Sequence, residues 1–151
     1  MSHMNNRYIS FVAGIFFLIS VPGFSQGKQT EIIILHTNDM HSKIDNMAKL
    51  AYLADSLRKL HPFVFLVSAG DNFTGNPVVD LVPDKGFPMI DLMNQCGFDV
   101  STIGNHEFDL GMELFNKRMD QAKFPFISCN IDASGTLLKQ PKPFVVFSIV
   151  P

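Results

Sequence analysis

Apolar and polar positions follow two rhythms along the chain, and their alternation sketches the fold. The run "EIIILH" (residues 31–36) is continuously apolar and rich in isoleucine, as expected of a strand covered on both faces. From Met47 the apolar residues Met47, Leu50, Ala51, Ala54 and Leu57 recur at spacings of three and four, with Lys49, Asp55, Arg58 and Lys59 between them. That spacing predicts an amphipathic helix, ended by His61-Pro62. "FVFLVSA" reads as a second buried strand, followed by a Gly-Asp-Asn turn and a looser segment broken by Pro77, Pro83 and Pro88. A short helix from about Met89 ends at Gly97, which suits the left-handed residue of a helix C-terminus. "DVSTI" is a third strand, and "MELFNKRMDQA" a helix with Met112, Leu114 or Phe115, and Met119 on its apolar side. "FPFISC" is a fourth strand and "FVVFSIV" a fifth. Strands alternating with helices imply right-handed crossovers, hence an α/β fold with a mainly parallel sheet and flanking helices.

Ahead of these elements, Arg7 precedes the uncharged run "YISFVAGIFFLISV" and then "PGFSQ", whose small residues suit cleavage around Ser25. The pattern is that of a secretory signal peptide over residues 1–26, since the run is several residues short of the roughly 20 needed to span a bilayer. Residues 27–151 are then the folded part, exported to a periplasmic or extracellular setting. Export permits a disulfide, but Cys96 and Cys129 each sit at the end of an apolar element and read as small buried hydrophobes; whether they pair stays open. With a formal net charge of -2 and 46% hydrophobic residues, the chain is globular and carries no basic stripe for a nucleic-acid polymer.

In open α/β sheets, functional groups gather beyond the carboxyl ends of the strands. Strand one empties into Asn38, Asp39 and His41, strand two into Asp71 and Asn72, strand three into Asn105, His106 and Asp109, and strand four into Asn130. Aspartate and histidine with an asparagine carbonyl form a ligand set suited to Zn, Mn, Fe or Co. On an extended turn, Asp39 and His41 would point the same way and act as adjacent ligands. A carboxylate such as Asp71 can bridge two ions, which would clamp a phosphate ester. Asp109 lies three residues beyond His106, where the start of a helix brings its carboxylate back to the imidazole and supports a cationic ring. Glu107 is expected to face structure or solvent, His36 to be a buried or supporting histidine, and His61 a solvated loop residue. Asn72 and Asn130 divide evenly between loop-shaping and site-lining roles. Gly70, Gly75, Gly104 and Gly111 read as permission for tight turns.

"ILHTNDMH", "SAGDNFTG" and "TIGNHEFDLG" together resemble the D-x-H, G-D-x and G-N-H-E/D motifs of the calcineurin-like metallophosphoesterases, and "HTND-H" with "GNHEFD-G" is similar to the 5'-nucleotidase and UDP-sugar hydrolase branch. The resemblance runs from about Glu31 to the end of the chain. It implies that Asp39, His41 and Asp71 ligate one metal, that Asp71 bridges to a second held by Asn105, and that Asn105 and His106 contact the substrate. It further implies that His106 contacts the phosphate and assists the leaving group, oriented by Asp109.

The family's later G-H and G-H-x-H ligands have no counterpart, because no histidine follows His106. The resemblance therefore implies the N-terminal half of an α/β/β/α sandwich, lacking the second half and the C-terminal domain that clamps the base. Both ions should bind weakly, and one apolar face of the sheet should be exposed. The expected activity is metal-dependent hydrolysis of nucleoside 5'-phosphates by a truncated chain, completed by a missing C-terminal half or a second chain. Alternatives are the same chemistry on a UDP-sugar, a 2',3'-cyclic nucleotide or a sulfur-linked group, and a non-catalytic metal- or nucleotide-binding fragment.

Overall fold

The computed structural model describes residues 29–149, so the expected signal peptide lies outside the described residues. Four strands, β1 (Ile33–Thr37), β2 (Val64–Ser68), β3 (Val100–Thr102) and β4 (Phe126–Ile127), pair in parallel in the order β1-β2-β3-β4. The register sets Leu35 beside Leu66, Ser68 beside Ser101, and Ser101 beside Phe126. Helices α1 (Met47–Leu60), α2 (Pro77–Asp80), α3 (Phe87–Cys96) and α4 (Met112–Gln121) fill the connections. The expected helices thus form. The proline-broken segment also yields the one-turn α2, nucleated by Pro77 at its start and by Asn76, whose side chain accepts from the Val78 N–H at 3.0 Å.

A sheet that grows in one direction through right-handed crossovers carries its long helices on one face. On that face Leu66, Met89, Ile90, Met93 and Phe115 are essentially inaccessible and form one core with Phe73, Phe124 and Phe126. Each such side chain contributes about 1.5–3 kcal/mol of burial. On β1 the opposite face is not covered: Ile34 is 63% exposed and His36 is exposed too. This differs from the reading of β1 as a strand covered on both faces and of His36 as a buried or supporting histidine, and agrees with the expectation that a half-sandwich leaves one apolar sheet face exposed. Hydrophobic content shows that a strand can be covered, whereas the direction of sheet growth decides which face is.

The fifth strand does not form either. Residues 143–149 run without regular structure, joined to the sheet by an isolated bridge between Ile127 and Lys142. Phe147 lies on Phe65 with ring centroids 4.9 Å apart, while Phe144 and Val146 are 67% and 74% exposed. A β-prone run needs a ladder partner, and none of the described residues supplies one here. On α4, the buried side is Phe115 with Arg118, and Met112 points outward at 39% exposure.

The loops beyond the strand ends are fastened by one buried carboxylate. Glu107, 1% exposed on a 3-10 turn over His106–Phe108, accepts from the Asp71 and Gly104 N–H groups at 3.0 and 2.7 Å through Oε2. Its Oε1 accepts from the Asn72 N–H at 2.7 Å and the Asn72 Nδ2 at 3.0 Å. Asn72, fully buried, also accepts from Ser68 Oγ and donates to Ser101 Oγ. Of its two expected roles, Asn72 therefore shapes the loop. The same packing leaves no space at Gly70 and Gly104: a Cβ on Gly70 would sit 2.6 Å from the Gly104 nitrogen, and one on Gly104 would sit 2.7 Å from Asp71 Cγ.

Glu107→Gln keeps the shape but turns an amide NH₂ toward N–H donors. It is expected to lower the unfolding free energy by about 2 kcal/mol or more, read as a lower denaturant midpoint at unchanged slope. Gly104→Ala is expected to lower the melting temperature and also to displace the Asp71 carboxylate, so that divalent-metal affinity in titration calorimetry falls with it.

Candidate metal and phosphate site

Five residues other than glycine have positive φ among the described residues: Asp39 (50°), His41 (46°), Ser42 (58°), Asp71 (53°) and Thr74 (59°). All lie in the loops after β1 and β2. Left-handed backbone at such residues costs on the order of 1–3 kcal/mol each and persists only where neighbours over-determine it. Here the two loops hydrogen-bond to each other, Asp39 N–H to Gly70 C=O at 3.2 Å, His41 N–H to Asp71 C=O at 3.0 Å, and Ser42 N–H to Asn72 C=O at 2.8 Å. Asp39 and His41 are thus neighbours through a left-handed turn and not through the extended one expected. Their side chains meet all the same, His41 Nε2 lying 4.0 Å from Asp39 Oδ1.

One ligand atom each from His41, Asp71 and His106 lies within 4.8 Å of the others. The two imidazoles stand edge to face, with centroids 4.6 Å apart and planes at 71°. Asp71 is held by the 3-10 turn itself, its Oδ1 accepting the His106 N–H at 2.9 Å. Three strand ends therefore deliver one carboxylate and two imidazoles to one place, with Asp39 beside His41. Hard oxygen and borderline nitrogen donors of this kind fit a divalent ion of the Zn, Mn, Co or Fe class. Asn105 begins the 3-10 turn next to His106, is exposed, and makes no side-chain hydrogen bond among the described residues, which leaves its carboxamide free to act as a ligand.

His106 Nδ1 donates to Asp109 Oδ2 at 2.7 Å, the contact foreseen from the three-residue spacing. That hydrogen bond raises the His106 pKa above the usual imidazole value, with the charges of Asp109, Asp71 and Glu107 acting in the same direction. The Asp109 carboxyl is held below its usual range, first by the hydroxyl of Thr74 and then by His106. Thr74 Oγ1 donates to Asp109 Oδ2 at 2.6 Å, and the Thr74 carbonyl accepts from His41 Nδ1 at 3.2 Å. Sequence reasoning missed Thr74 because no spacing rule links it to partners 33 and 35 positions away. Glu107, left between structure and solvent, proves structural.

The remaining candidates lie elsewhere. His61 pairs with Glu31 at 2.8 Å, so it is not simply solvated. Asn130 is exposed and accepts from Ser128 Oγ. Cys96 is buried and Cys129 exposed, and both are free, so the reading of two buried hydrophobes holds for Cys96 alone.

Comparison with known proteins places this arrangement. The family model for calcineurin-like phosphoesterase matches residues 32–146. The chain is 32% identical over 151 residues to a 5'-nucleotidase of Rattus norvegicus, an alignment covering 85% of this chain and 26% of that protein. It is 35% identical over 136 residues to Protein UshA of Salmonella pullorum, with 83% of this chain and 24% of that one covered. The NAD nucleotidase of Haemophilus influenzae superposes with a TM-score of 0.67 at 30% identity, over 78% of this chain and 27% of that chain. The chain thus spans about a quarter of the length of these three proteins. With the fold, the strand-end loops and the family match in agreement, the chain belongs to the calcineurin-like phosphoesterases, in the branch that includes the 5'-nucleotidases.

Proposed function

We propose that the chain supplies part of the catalytic site of an exported, metal-dependent phosphoesterase that hydrolyses nucleoside 5'-monophosphates, the substrate class suggested by the name 5'-nucleotidase that several of its relatives carry. The observation that carries this reading is the meeting of His41, Asp71 and His106 from three strand ends, with the His106–Asp109 pair closed at 2.7 Å beside them. Asp39, His41 and Asp71 would hold one divalent ion, with Asp71 reaching toward a second beside Asn105. Bound ions of this class polarise phosphoryl oxygens and acidify water. Asn105 and His106 would face the phosphate. Asp109 supports the protonated imidazole, which then stands where negative charge develops and can pass its Nε2 proton to the departing 5'-oxygen. Export rests on the pattern of residues 1–26, and the ligands of the later family motifs would come from a further segment or chain.

A second reading makes His106 a metal ligand, favoured by its place in the same 4.8 Å cluster as His41 and Asp71. The two separate in one experiment. Phosphate release from AMP with Mn²⁺ and bound metal after dialysis are measured for the chain, Asp71→Asn, Asn105→Ala and His106→Ala. Asp71→Asn is expected to lose metal and turnover together. His106→Ala is expected to keep its metal while turnover falls by about 10²–10⁴-fold, the usual contribution of a positioned acid. Metal loss in His106→Ala would instead make it a ligand. Equal background turnover in all four proteins, with metal bound to the unaltered chain, would leave a binding module.

A further inference from the structure

Thr74 occupies an unusual position. It is β-branched, yet its φ is 59°, where such a residue is a genuine steric outlier. The residues that follow hold it there. The following Gly75 N–H donates to Asp80 Oδ2 at 2.7 Å, and so does the Asn76 N–H at 2.9 Å, which ties the turn to α2. Asn76 Nδ2 in turn donates to the Ser42 carbonyl at 3.0 Å, which ties α2 to the loop after β1. Gly75 itself passes so close to His41 that a Cβ there would sit 2.9 Å from the His41 carbonyl oxygen. The backbone beside Thr74 is thus fixed against α2 and the loop that carries His41, and the two oxygens of Thr74 face the two histidines.

We propose that Thr74 is a positioning residue for both imidazoles: its carbonyl takes the Nδ1 hydrogen of His41, and its hydroxyl anchors the Asp109 carboxylate that takes the Nδ1 hydrogen of His106. The distances are 3.2 Å for the carbonyl contact, 2.6 Å for the hydroxyl contact and 2.7 Å for Asp109 to His106. Thr74 Oγ1 also lies 3.4 Å from His106 Nδ1, so hydroxyl, carboxylate and imidazole form a closed triangle. A hydrogen bond at one ring nitrogen fixes which tautomer exists and which nitrogen is left for chemistry. With both Nδ1 atoms engaged by one residue and its carboxylate partner, both rings are left with Nε2 for metal or substrate. The strained turn is therefore spent on aligning two groups that arise from different strands. The inference rests on the proposed function for the relevance of these rings, but not for its test.

The test uses the nitrogen-labelled, metal-free chain at a pH where both rings are neutral, and reads each tautomer from long-range proton–nitrogen NMR correlations. In the unaltered chain both His41 and His106 are expected to show the Nδ1–H pattern. Thr74→Val removes the hydroxyl, keeps the branch and leaves the carbonyl. It is expected to turn His106 into a mixture of tautomers while His41 keeps its pattern. Thr74→Ala, which carries no branch at this φ, should read the same way, and Thr74→Ser should restore the original His106 pattern. An unchanged His106 in the Val and Ala forms, a change in both rings together, or no restoration by Ser would overturn the proposal. If the Ala form does not fold, the Val form decides by the same criterion. None of these readings needs turnover, so an inactive chain would count against the phosphoesterase reading and leave the role of Thr74 to be decided separately.

Discussion

A single buried carboxylate holds the strand ends together. Glu107 is buried and has no cation among its hydrogen-bond partners, so its charge is met by three backbone N–H groups and one amide from two loops. Hydrogen bonds to an ionised acceptor are stronger than neutral ones, and a buried charge without them would be very costly. The need to satisfy Glu107 therefore fixes where the turn after β2 sits relative to the turn after β3. Asp71 lies in the first of those turns and His106 in the second, and the His106 N–H to Asp71 contact closes the gap between them. The side chains of the candidate site and their support are one continuous hydrogen-bonded body.

Backbone strain is the other half of that arrangement. Left-handed φ at five residues other than glycine would be hard to sustain in an isolated loop, since each carries a steric penalty. Here the loops after β1 and β2 run alongside each other, and Gly70 and Gly104 allow backbone to approach backbone and carboxylate more closely than any side chain would permit. The strain turns Asp39 and His41 toward the same point and sets Thr74 against the Nδ1 atoms of both imidazoles. Precise placement of donors in a metal or phosphate site depends on such supporting contacts as much as on the donors themselves.

The face of the sheet away from the helices is the feature least like a finished domain. Ile34 and His36 on β1 face outward, while Phe147 packs against Phe65 on the neighbouring strand. The relatives are about four times as long as the part matched here, so their full activity belongs to more chain than is seen in this structure.

The sequence by itself determined the α/β alternation, the extent of α1, the convergence of three strand ends and the His106–Asp109 pair. Each of these follows from local periodicity, from spacing within a turn, or from the general rule about strand carboxyl ends. Tertiary structure alone decided which sheet face is covered, why "FVVFSIV" stays without a ladder, and what Glu107, Asn72 and Thr74 do. The physical reason is the same in each case. Hydrophobic rhythm and turn chemistry act over a few residues, whereas the direction of sheet growth and the partners of a buried polar group are set by segments about thirty positions apart that meet only once the chain is folded.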